Sequence, residues 1–239
     1  MNGLFVPRRR RGVEILDDPN VDPTIARRSL RDVARANALF GGSRAVLAEL
    51  RPILRCLTRS RADRRHVTLL DVGTGIADIP DRARRVASRL GVELTTVGLD
   101  ESEALAAASR ARSSAVVRGD ALALPIGDDA VDVVTCSQVL HHFPDDDARR
   151  VIRELDRVAR ARVIISDIRR SWLAAGGIWV ASFVLGFHPV SRHDGVVSVM
   201  RGYTARELRE LVGTAVGRVP RVRRRLGFRV TASWTPTER

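Results

Sequence analysis

A glycine-rich turn lies between a short apolar run, residues 67–70, and a helical pattern. The turn, residues 71–78, reads DVGTGIAD. Gly73 and Gly75 allow a tight bend and a close backbone approach to a ligand at the carboxyl end of a parallel sheet. Asp78 and Pro80 are residue types that begin a helix well. The turn alone is compatible with a dinucleotide or with another nucleotide-like ligand.

The carboxylates of this turn argue against a bound phosphate. A dinucleotide places its pyrophosphate at the helix N-terminus, where free N–H groups and the helix dipole favour negative charge. Asp78 stands at the position of the third glycine of a dinucleotide turn, where it would repel that phosphate. S-adenosylmethionine carries no phosphate, and its sulfonium and ammonium groups are cations. Carboxylates at Asp71 and Asp78 therefore suit it better than they suit NAD.

Two more acidic residues follow the next two apolar runs, residues 94–99 and 115–117. Asp100 ends the first of these runs, where a carboxylate can accept hydrogen bonds from both ribose hydroxyls. Asp120 follows the second, where a carboxylate can accept from an adenine amino group while a backbone N–H reaches a ring nitrogen. Acidic residues at three successive strand ends predict an adenosine-type cofactor without a phosphate.

The segment from residue 67 to residue 168 resembles the class I, Rossmann-like methyltransferases, and within them the small-molecule branch of ubiquinone and menaquinone type. The resemblance is carried by LLDVGTGIADIP, VGLDES, RGDALALPIGDDAVDVVTCSQVLHHF and ARVIISDI. It implies S-adenosyl-L-methionine as cofactor and S-adenosyl-L-homocysteine as its product. The family often has glycine where Ala77 stands, and this departure implies a tighter fit near the methionine part.

The resemblance also implies roles for single residues. Gly73 and Gly75 would lie against the methionine part, Asp100 would hold the ribose, and Asp120 would hold the adenine together with its neighbour Ala121. Ser137 would lie where the fourth strand opens toward the acceptor. The full set of cofactor-binding residues that we expect is Asp71, Gly73, Thr74, Gly75, Asp100, Glu101, Asp120, Ala121 and Ser137.

Three histidines are candidates for a general base. His141 and His142 follow the fourth strand, and His193 stands beside Asp194 after a long apolar run. Histidine titrates near neutral pH, so each could take a proton from a hydroxyl or an amine. The histidine pair could equally pack at the edge of the cofactor site, and Asp194 could merely cap a turn before Gly195. An acidic phenol would need little base catalysis, because alignment supplies much of the acceleration.

The periodicity of apolar residues predicts one α/β domain with helical additions. Short apolar runs alternate with helical patterns, which favours a Rossmann-like, doubly wound and mostly parallel sheet of seven strands with helices on both faces. We divide the chain into a basic N-terminal arm, residues 1–21, an N-terminal helical cap, residues 22–65, and the Rossmann-like domain, residues 66–239. The arm carries no periodic pattern, and we interpret it as loose.

An insert after the fifth strand, residues 171–203, should cover the acceptor. Its apolar run, residues 172–187, is shorter than the ~20 residues that a bilayer crossing needs. We expect this run to fold over the cofactor face as a lid or wall, because it is too apolar to lie exposed. It would bring His188, Arg192, His193 and Asp194 near the mouth of the pocket. Substitution of His193 by alanine should then lower turnover and spare cofactor affinity.

Composition limits the partners. The 239 residues have a formal net charge of +13, and all 41 basic residues are arginine. This charge attracts polyanions, but an arginine-only basic set in a chain rich in alanine and valine is typical of a GC-rich coding sequence. Aromatic residues make up 4% of the chain and leave few platforms for stacking nucleic-acid bases. We therefore expect no specific nucleic acid, and at most weak contact with anionic surfaces.

Cysteine usage and the start of the chain bear on the compartment. Cys56 and Cys136 are far apart, so neither a disulfide nor a metal site is expected. The first residues, MNGLFVPRRRRG, place their charges after a short apolar stretch, which is the reverse of a secretory signal. We expect a cytoplasmic enzyme without a membrane span.

These features together predict methyl transfer from S-adenosylmethionine to a small apolar acceptor of phenolic, quinonoid or polyketide-like type, with oxygen favoured over carbon or nitrogen. An NAD-dependent oxidoreductase on the same sheet and an RNA-binding or RNA-modifying protein are the alternatives. The sequence does not name the acceptor or the oligomeric state.

Overall fold

A computed structural model describes residues 6–18, 20–60 and 66–237 of the chain. Its strands are β1 (His66–Val72), β2 (Glu93–Asp100), β3 (Ala115–Arg118), β4 (Val131–Ser137), β5 (Ala159–Ile168), β6 (Arg221–Arg225) and β7 (Arg229–Trp234). They form one seven-stranded sheet in the order β3-β2-β1-β4-β5-β7-β6. Strands β1 to β5 pair in parallel, and β7 is antiparallel to both β5 and β6. The predicted fold class is confirmed.

The helices are α1 (Pro23–Leu39), α2 (Gly42–Ser60), α3 (Asp78–Arg89), α4 (Glu103–Ser109), α5 (Asp145–Val158), α6 (Trp172–Val184), α7 (Pro189–Arg201) and α8 (Ala205–Val216), with short 3-10 helices at Ile15–Asp17 and Leu140–His142. Asp22 caps α1 by accepting the Thr24 N–H, as its sequence position before proline predicts. The end of the predicted helical cap, residues 61–65, lies outside the described residues.

Helices cover both faces of the sheet because successive strand residues point to opposite sides. On one side, Leu70 and Val134 pack in a cluster with Leu155 of α5 and Leu208 of α8. On the other side, Leu69 and Val133 of neighbouring strands pack with residues of α2 and α3, among them Leu50, Leu54 and Ala83. The sequence assigns α2 to a separate cap, whereas in the structure its apolar face forms part of the main core.

Residues 7–17 are packed against the insert, which corrects our interpretation of the arm as loose. Arg10 donates its backbone N–H to the Met200 carbonyl at 3.2 Å. The backbone N–H groups of Ile15 and Leu16 donate to the carboxylate of Asp194 at 2.8 and 3.0 Å. These bonds join partners about 180 positions apart in the chain, so no local pattern in the arm announces them. We call residues 7–17 the N-terminal strap.

The insert forms two helices, although the sequence predicts only one. His188 caps the start of α7, because its side chain accepts the Val190 N–H. Pro189 is the first residue of the helix. These are ordinary start signals for a helix, but polar residues and Gly195 interrupt any apolar period. Asp194 therefore lies inside a helix, and the expectation that it caps a turn before Gly195 is wrong.

The apolar run of the insert is buried on one face only. The side facing the interior carries small residues such as Ala174 and Ala175, while Trp179, Val180 and Val184 on α6 are exposed. The expectation that this run is too apolar to lie exposed is thus wrong for half of the helix. In the described parts of the chain, no helix is long and apolar enough to cross a membrane.

Candidate functional site

The glycine-rich turn uses its backbone N–H groups within the protein. Gly73 and Thr74 both donate to the carbonyl oxygen of Leu99, at 2.8 and 3.0 Å. Gly75 donates to Oδ2 of Asp100 at 2.9 Å. A pyrophosphate needs such N–H groups to be free, so this geometry argues against the NAD alternative.

Asp71 stabilises the glycine-rich turn through a hydrogen bond from Thr74. It is 2% exposed, and its carboxylate accepts hydrogen bonds from the Thr135 hydroxyl at 2.6 Å and from the Thr74 hydroxyl at 2.9 Å. Burial raises the pKa of Asp71 to about 7. Asp71 does not line the cavity beside the turn, and its contacts orient Thr74, which does line it.

The two turn glycines differ in the space around them, and this difference can be tested. A Cβ on Gly73 would lie 2.2 Å from Cγ2 of Val139, and the backbone there has φ +68°. We expect Gly73→Ala to lower the free energy of unfolding by about 2 to 3 kcal/mol, from left-handed strain and overpacking. Gly75→Ala has φ +55° and no atom within 4 Å of the new Cβ, so it should cost only about 1 kcal/mol. Urea unfolding measures both variants. Equal losses of unfolding free energy in the two would contradict the difference in space around the two glycines.

A cavity of about 140 Å³ opens beside the turn. Its lining includes four of the predicted cofactor-binding residues, Gly73, Thr74, Gly75 and Ser137. Asp78 also lines it, and burial raises the pKa of that carboxyl. The Oγ atom of Ser137 is buried without a hydrogen-bond partner in the described structure. The cavity thus offers a carboxylate and a free hydroxyl to a ligand.

The other predicted cofactor residues lie at the same edge of the sheet without lining this cavity. The carboxylate of Asp100 accepts the Ser102 N–H at 3.1 Å, and burial raises its pKa. Asp120 is exposed, while the next residue, Ala121, is buried. Glu101 is exposed. The parallel register brings the ends of β2 and β3 together. Just beyond them, Gly119 donates its N–H to the Asp100 carbonyl at 3.1 Å.

A larger, mostly apolar cavity of about 250 Å³ adjoins the first. Helices α1, α6 and α7 and the start of β7 enclose it, together with Glu14 and Leu16 of the N-terminal strap. Asn37 and Gln138 line both cavities, so the two are neighbours. Two adjoining cavities, the larger one mostly apolar, could hold two reactants beside each other.

The histidines proposed as bases line neither cavity. His141 is buried, and its Nδ1 lies 2.7 Å from Oδ1 of Asp167, which is also buried. His193 is half exposed, and its Nδ1 lies 2.9 Å from Oδ1 of Asp194. Asp194 in turn holds the N-terminal strap. The geometry thus gives Asp194 an anchoring role, and a base role for these histidines stays a prediction.

His142 belongs to a polar cluster under the strap. Its Nδ1 lies 3.3 Å from Oδ1 of Asp17. Burial alone would lower the pKa of His142, but the hydrogen bond with Asp17 and the charge of Glu14 raise it above its ordinary value. Glu14, His141 and His142 also hold ligand atoms within 4.8 Å of one another. Arg201 lies 3.2 Å from Glu14 in this cluster, and its guanidinium supplies the positive charge that a metal ion would bring.

Several polar residues of the two cavities are absent from the sequence-based site. They are Asp32, Asn37, Gln138 and Arg229, from α1, the loop after β4 and the start of β7. Gln138 has φ +60°, an unusual conformation for a residue with a side chain and one that often marks a functional position. No spacing in the sequence joins these residues, since the fold alone brings α1 and β7 to the end of β4.

Comparison with known proteins agrees with this geometry. Residues 70–165 match the methyltransferase domain family. The chain is 38% identical over 114 residues to 2-phytyl-1,4-naphtoquinone methyltransferase of Synechococcus elongatus, which corresponds to 44% of this chain and 47% of that protein. The aligned region therefore spans about half the length of this curated relative.

Solved structures share the fold. Magnesium protoporphyrin IX methyltransferase from Synechocystis with bound SAH is 16% identical with a TM-score of 0.53, and the match covers 92% of this chain and 90% of that one. A SAM-dependent methyltransferase from Aquifex aeolicus is also 16% identical, with a TM-score of 0.52 and coverage of 77% and 88%. Residues 70–165 thus match the methyltransferase domain family, and the chain shares the Rossmann-like fold of these solved methyltransferases.

Proposed function

We propose that this chain transfers a methyl group from S-adenosyl-L-methionine to a small quinonoid or phenolic acceptor, at oxygen rather than at carbon or nitrogen. The observation that carries the proposal is the pair of adjoining cavities, a small one beside the glycine-rich turn that holds a carboxylate and a free hydroxyl, and a larger one that is mostly apolar. The name of the curated relative supports a quinonoid acceptor, because that enzyme is named for a phytyl naphthoquinone.

The small cavity fits the cofactor by its charge. Asp78 can pair with the ammonium group of the methionine part, and the Ser137 hydroxyl is free to bind a polar atom. Asp100 and Asp120 lie at the neighbouring strand ends, where they can accept hydrogen bonds from the ribose and the adenine. When bound, S-adenosylmethionine would supply a methyl group on a cationic sulfur. Transfer to the ionised acceptor oxygen would form a C–O bond, and the electron pair of the broken C–S bond would stay on sulfur.

The larger cavity fits the acceptor by its apolar lining. Phe40, Ile178, Phe187 and Phe228 contribute to its walls, and burial of aromatic acceptor surface against such side chains is favourable. The N-terminal strap and α7 enclose one side and keep water away from the acceptor. Asn37 and Gln138 mark the end of this cavity that faces the cofactor.

Binding of S-adenosylhomocysteine tests the proposal directly. We expect the purified protein to bind it at micromolar strength, and Asp100→Ala to weaken binding by about 1 to 3 kcal/mol, because charge-assisted hydrogen bonds are lost. The matched control is Glu103→Ala, which removes an exposed carboxylate close by on α4 and should leave affinity unchanged. Titration calorimetry measures both variants. Tighter binding of NAD than of S-adenosylhomocysteine would refute the cofactor assignment.

A further inference from the structure

The guanidinium of Arg229 is buried at the end of the larger cavity without a carboxylate partner. Arg229 is 5% exposed and lines this cavity. Its Nη1 donates to Oε1 of Gln138 at 2.7 Å, and its Nη2 donates to Oδ1 of Asn37 at 3.3 Å. Its buried Nε has no hydrogen-bond partner in the described structure. Both of its partners are neutral amides.

A buried cation held only by neutral groups is unusual, since arginine is rarely buried unless it is paired with an anion. Burial lowers the pKa of Arg229 to about 10, so the guanidinium still carries its charge at neutral pH. The negative charge of Asp167 opposes this lowering of the Arg229 pKa, but the Asp167 carboxylate is already hydrogen-bonded to His141. The positive charge of Arg229 is therefore incompletely balanced and favours an anion in the cavity.

Arg229 lies where the acceptor must meet the methyl group. Its two amide partners, Asn37 and Gln138, line both cavities. Gln138 is fixed by its backbone, because its N–H donates to the Ser166 carbonyl at 2.8 Å and its φ is +60°. Strain of this kind persists only where the surrounding structure holds it in place. The guanidinium is thus held at the junction of the two cavities.

The other ionisable groups of the larger cavity are satisfied. Glu14 is paired with Arg201, and Asp32 accepts hydrogen bonds from the His188 N–H and the Ser191 hydroxyl. Asp194, the third carboxylate of the lining, is occupied by the strap. Among the described residues that line either cavity there is no histidine. No histidine base therefore faces either cavity, and a positive charge there would help an acidic acceptor to lose its proton.

We propose that Arg229 is an oxyanion-binding residue that selects acceptors with an acidic hydroxyl, bound as a phenolate or enolate. The inference rests on the proposed function and narrows its substrate class. The guanidinium lowers the pKa of the acceptor hydroxyl and holds its oxygen at the cofactor side. Methylation converts the anion into a neutral ether, so the product loses this charge contact and is released more readily.

The probe is 2-hydroxy-1,4-naphthoquinone, an acidic enol, and its neutral comparison is 2-methoxy-1,4-naphthoquinone. At pH 8 with saturating S-adenosylhomocysteine, we expect the full-length protein to bind the enolate about 10- to 100-fold more tightly than the methyl ether, the size of a charge-assisted hydrogen bond. Arg229→Met should bring the two affinities within about threefold. Arg229→Lys should keep part of the preference, because it keeps the charge but loses the planar fork.

The control is Arg169→Met, which removes a neighbouring guanidinium that stacks on Phe228 and does not line the cavity. It should keep the enolate preference. Equal affinity of the wild type for both probes, or a preference that survives in Arg229→Met, overturns the inference. If Arg229→Met fails to fold, the ratio of enolate to methyl ether affinity in the wild type, together with that in Arg229→Lys, tests the inference. Binding of S-adenosylhomocysteine without enolate preference refutes only this inference, whereas enolate preference without S-adenosylhomocysteine binding refutes the proposed function.

Discussion

Asp71→Asn should make the protein more stable above pH 7 and slightly less stable at pH 4. The carboxyl of Asp71 has a pKa of about 7 in the folded chain against an ordinary value of 3.8, because it is buried. Between these two values the folded state holds a proton that the unfolded chain has released. The free energy of unfolding of the wild type therefore falls as pH rises through this window, by about 1.4 kcal/mol per pH unit and about 4 kcal/mol in all.

Asparagine carries no charge, so the variant loses this pH dependence. It also loses one acceptor for the hydroxyls of Thr74 and Thr135, at a cost of about 1 kcal/mol. The difference between variant and wild type should change from about −1 kcal/mol at pH 4 to about +3 kcal/mol at pH 8. Urea unfolding at both pH values measures it. A difference that stays constant with pH would show that the Asp71 carboxyl ionises normally.

Asp132 on the neighbouring strand β4 is a matched control of opposite sign. Burial would raise the pKa of Asp132, but hydrogen bonds from Thr68 and the Arg160 ion pair lower it below its ordinary value. Its contribution to stability is fully present above pH 3.8 and is lost as pH falls through the lowered pKa. Asp132→Asn should therefore destabilise the protein at neutral pH, where Asp71→Asn stabilises it.

The sheet and the place of the small cavity could be predicted because their signals are local. Each buried parallel strand is a short apolar run, and its carboxyl end is marked by a polar residue within one or two positions, as at Asp71, Asp100 and Asp120. Parallel pairing brings such strand ends to one edge whatever the loops do. Four of the predicted residues line the small cavity for this reason.

The acceptor side could not be predicted, because it depends on contacts between distant segments. Arg229 is one of 41 basic residues, and only the pairing of β7 with β5 brings it to Gln138. His193 stood out by its pairing with Asp194 in sequence, yet its side chain is half exposed. Histidine is rare in this chain, so His193 was selected as a candidate. Arginine is common, so nothing in the sequence distinguishes Arg229 from the other arginines.

The apolar run of α6 shows a similar limit. Its hydrophobicity predicts burial of the whole helix, but only part of its surface faces the interior. Ala174 and Gly177 leave room for the larger cavity, and the bulkier Trp179 and Val184 are displaced to the outer face. A hydrophobic pattern predicts that a helix packs against other apolar residues. The volume of a cavity depends on how the side chains pack, which the pattern does not predict.

The N-terminal strap should open more often in Asp194→Ala. This substitution leaves the N–H groups of Ile15 and Leu16 without the carboxylate that accepts them at 2.8 and 3.0 Å. Hydrogen bonds to a charged acceptor contribute about 1.5 to 3 kcal/mol each, so opening should become easier by about 3 kcal/mol or more, roughly 100-fold in the open population. Glu14 and Leu16 line the larger cavity, so an open strap exposes that cavity to water.

Trypsin measures this opening, because four arginines, Arg8 to Arg11, lie within the strap and are cleaved only when it detaches. Asp194→Ala should raise the cleavage rate at these sites roughly 100-fold and leave the rate in the sheet nearly unchanged. His193→Ala is the control, because it removes only the half-exposed imidazole and keeps the Asp194 carboxylate. A similar acceleration in both variants would mean that the carboxylate is not the anchor.

The same assay has a pH dependence whose sign follows from His142. Its pKa is raised above the ordinary 6.5 by contact with Asp17 of the strap. The stabilisation from this contact is complete below pH 6.5 and is lost as pH rises through the raised pKa. Cleavage at Arg8 to Arg11, normalised to an unfolded peptide of the same sequence, should therefore accelerate from pH 6 to pH 9. His142→Ala should abolish that dependence, since the strap then loses its titrating partner at every pH.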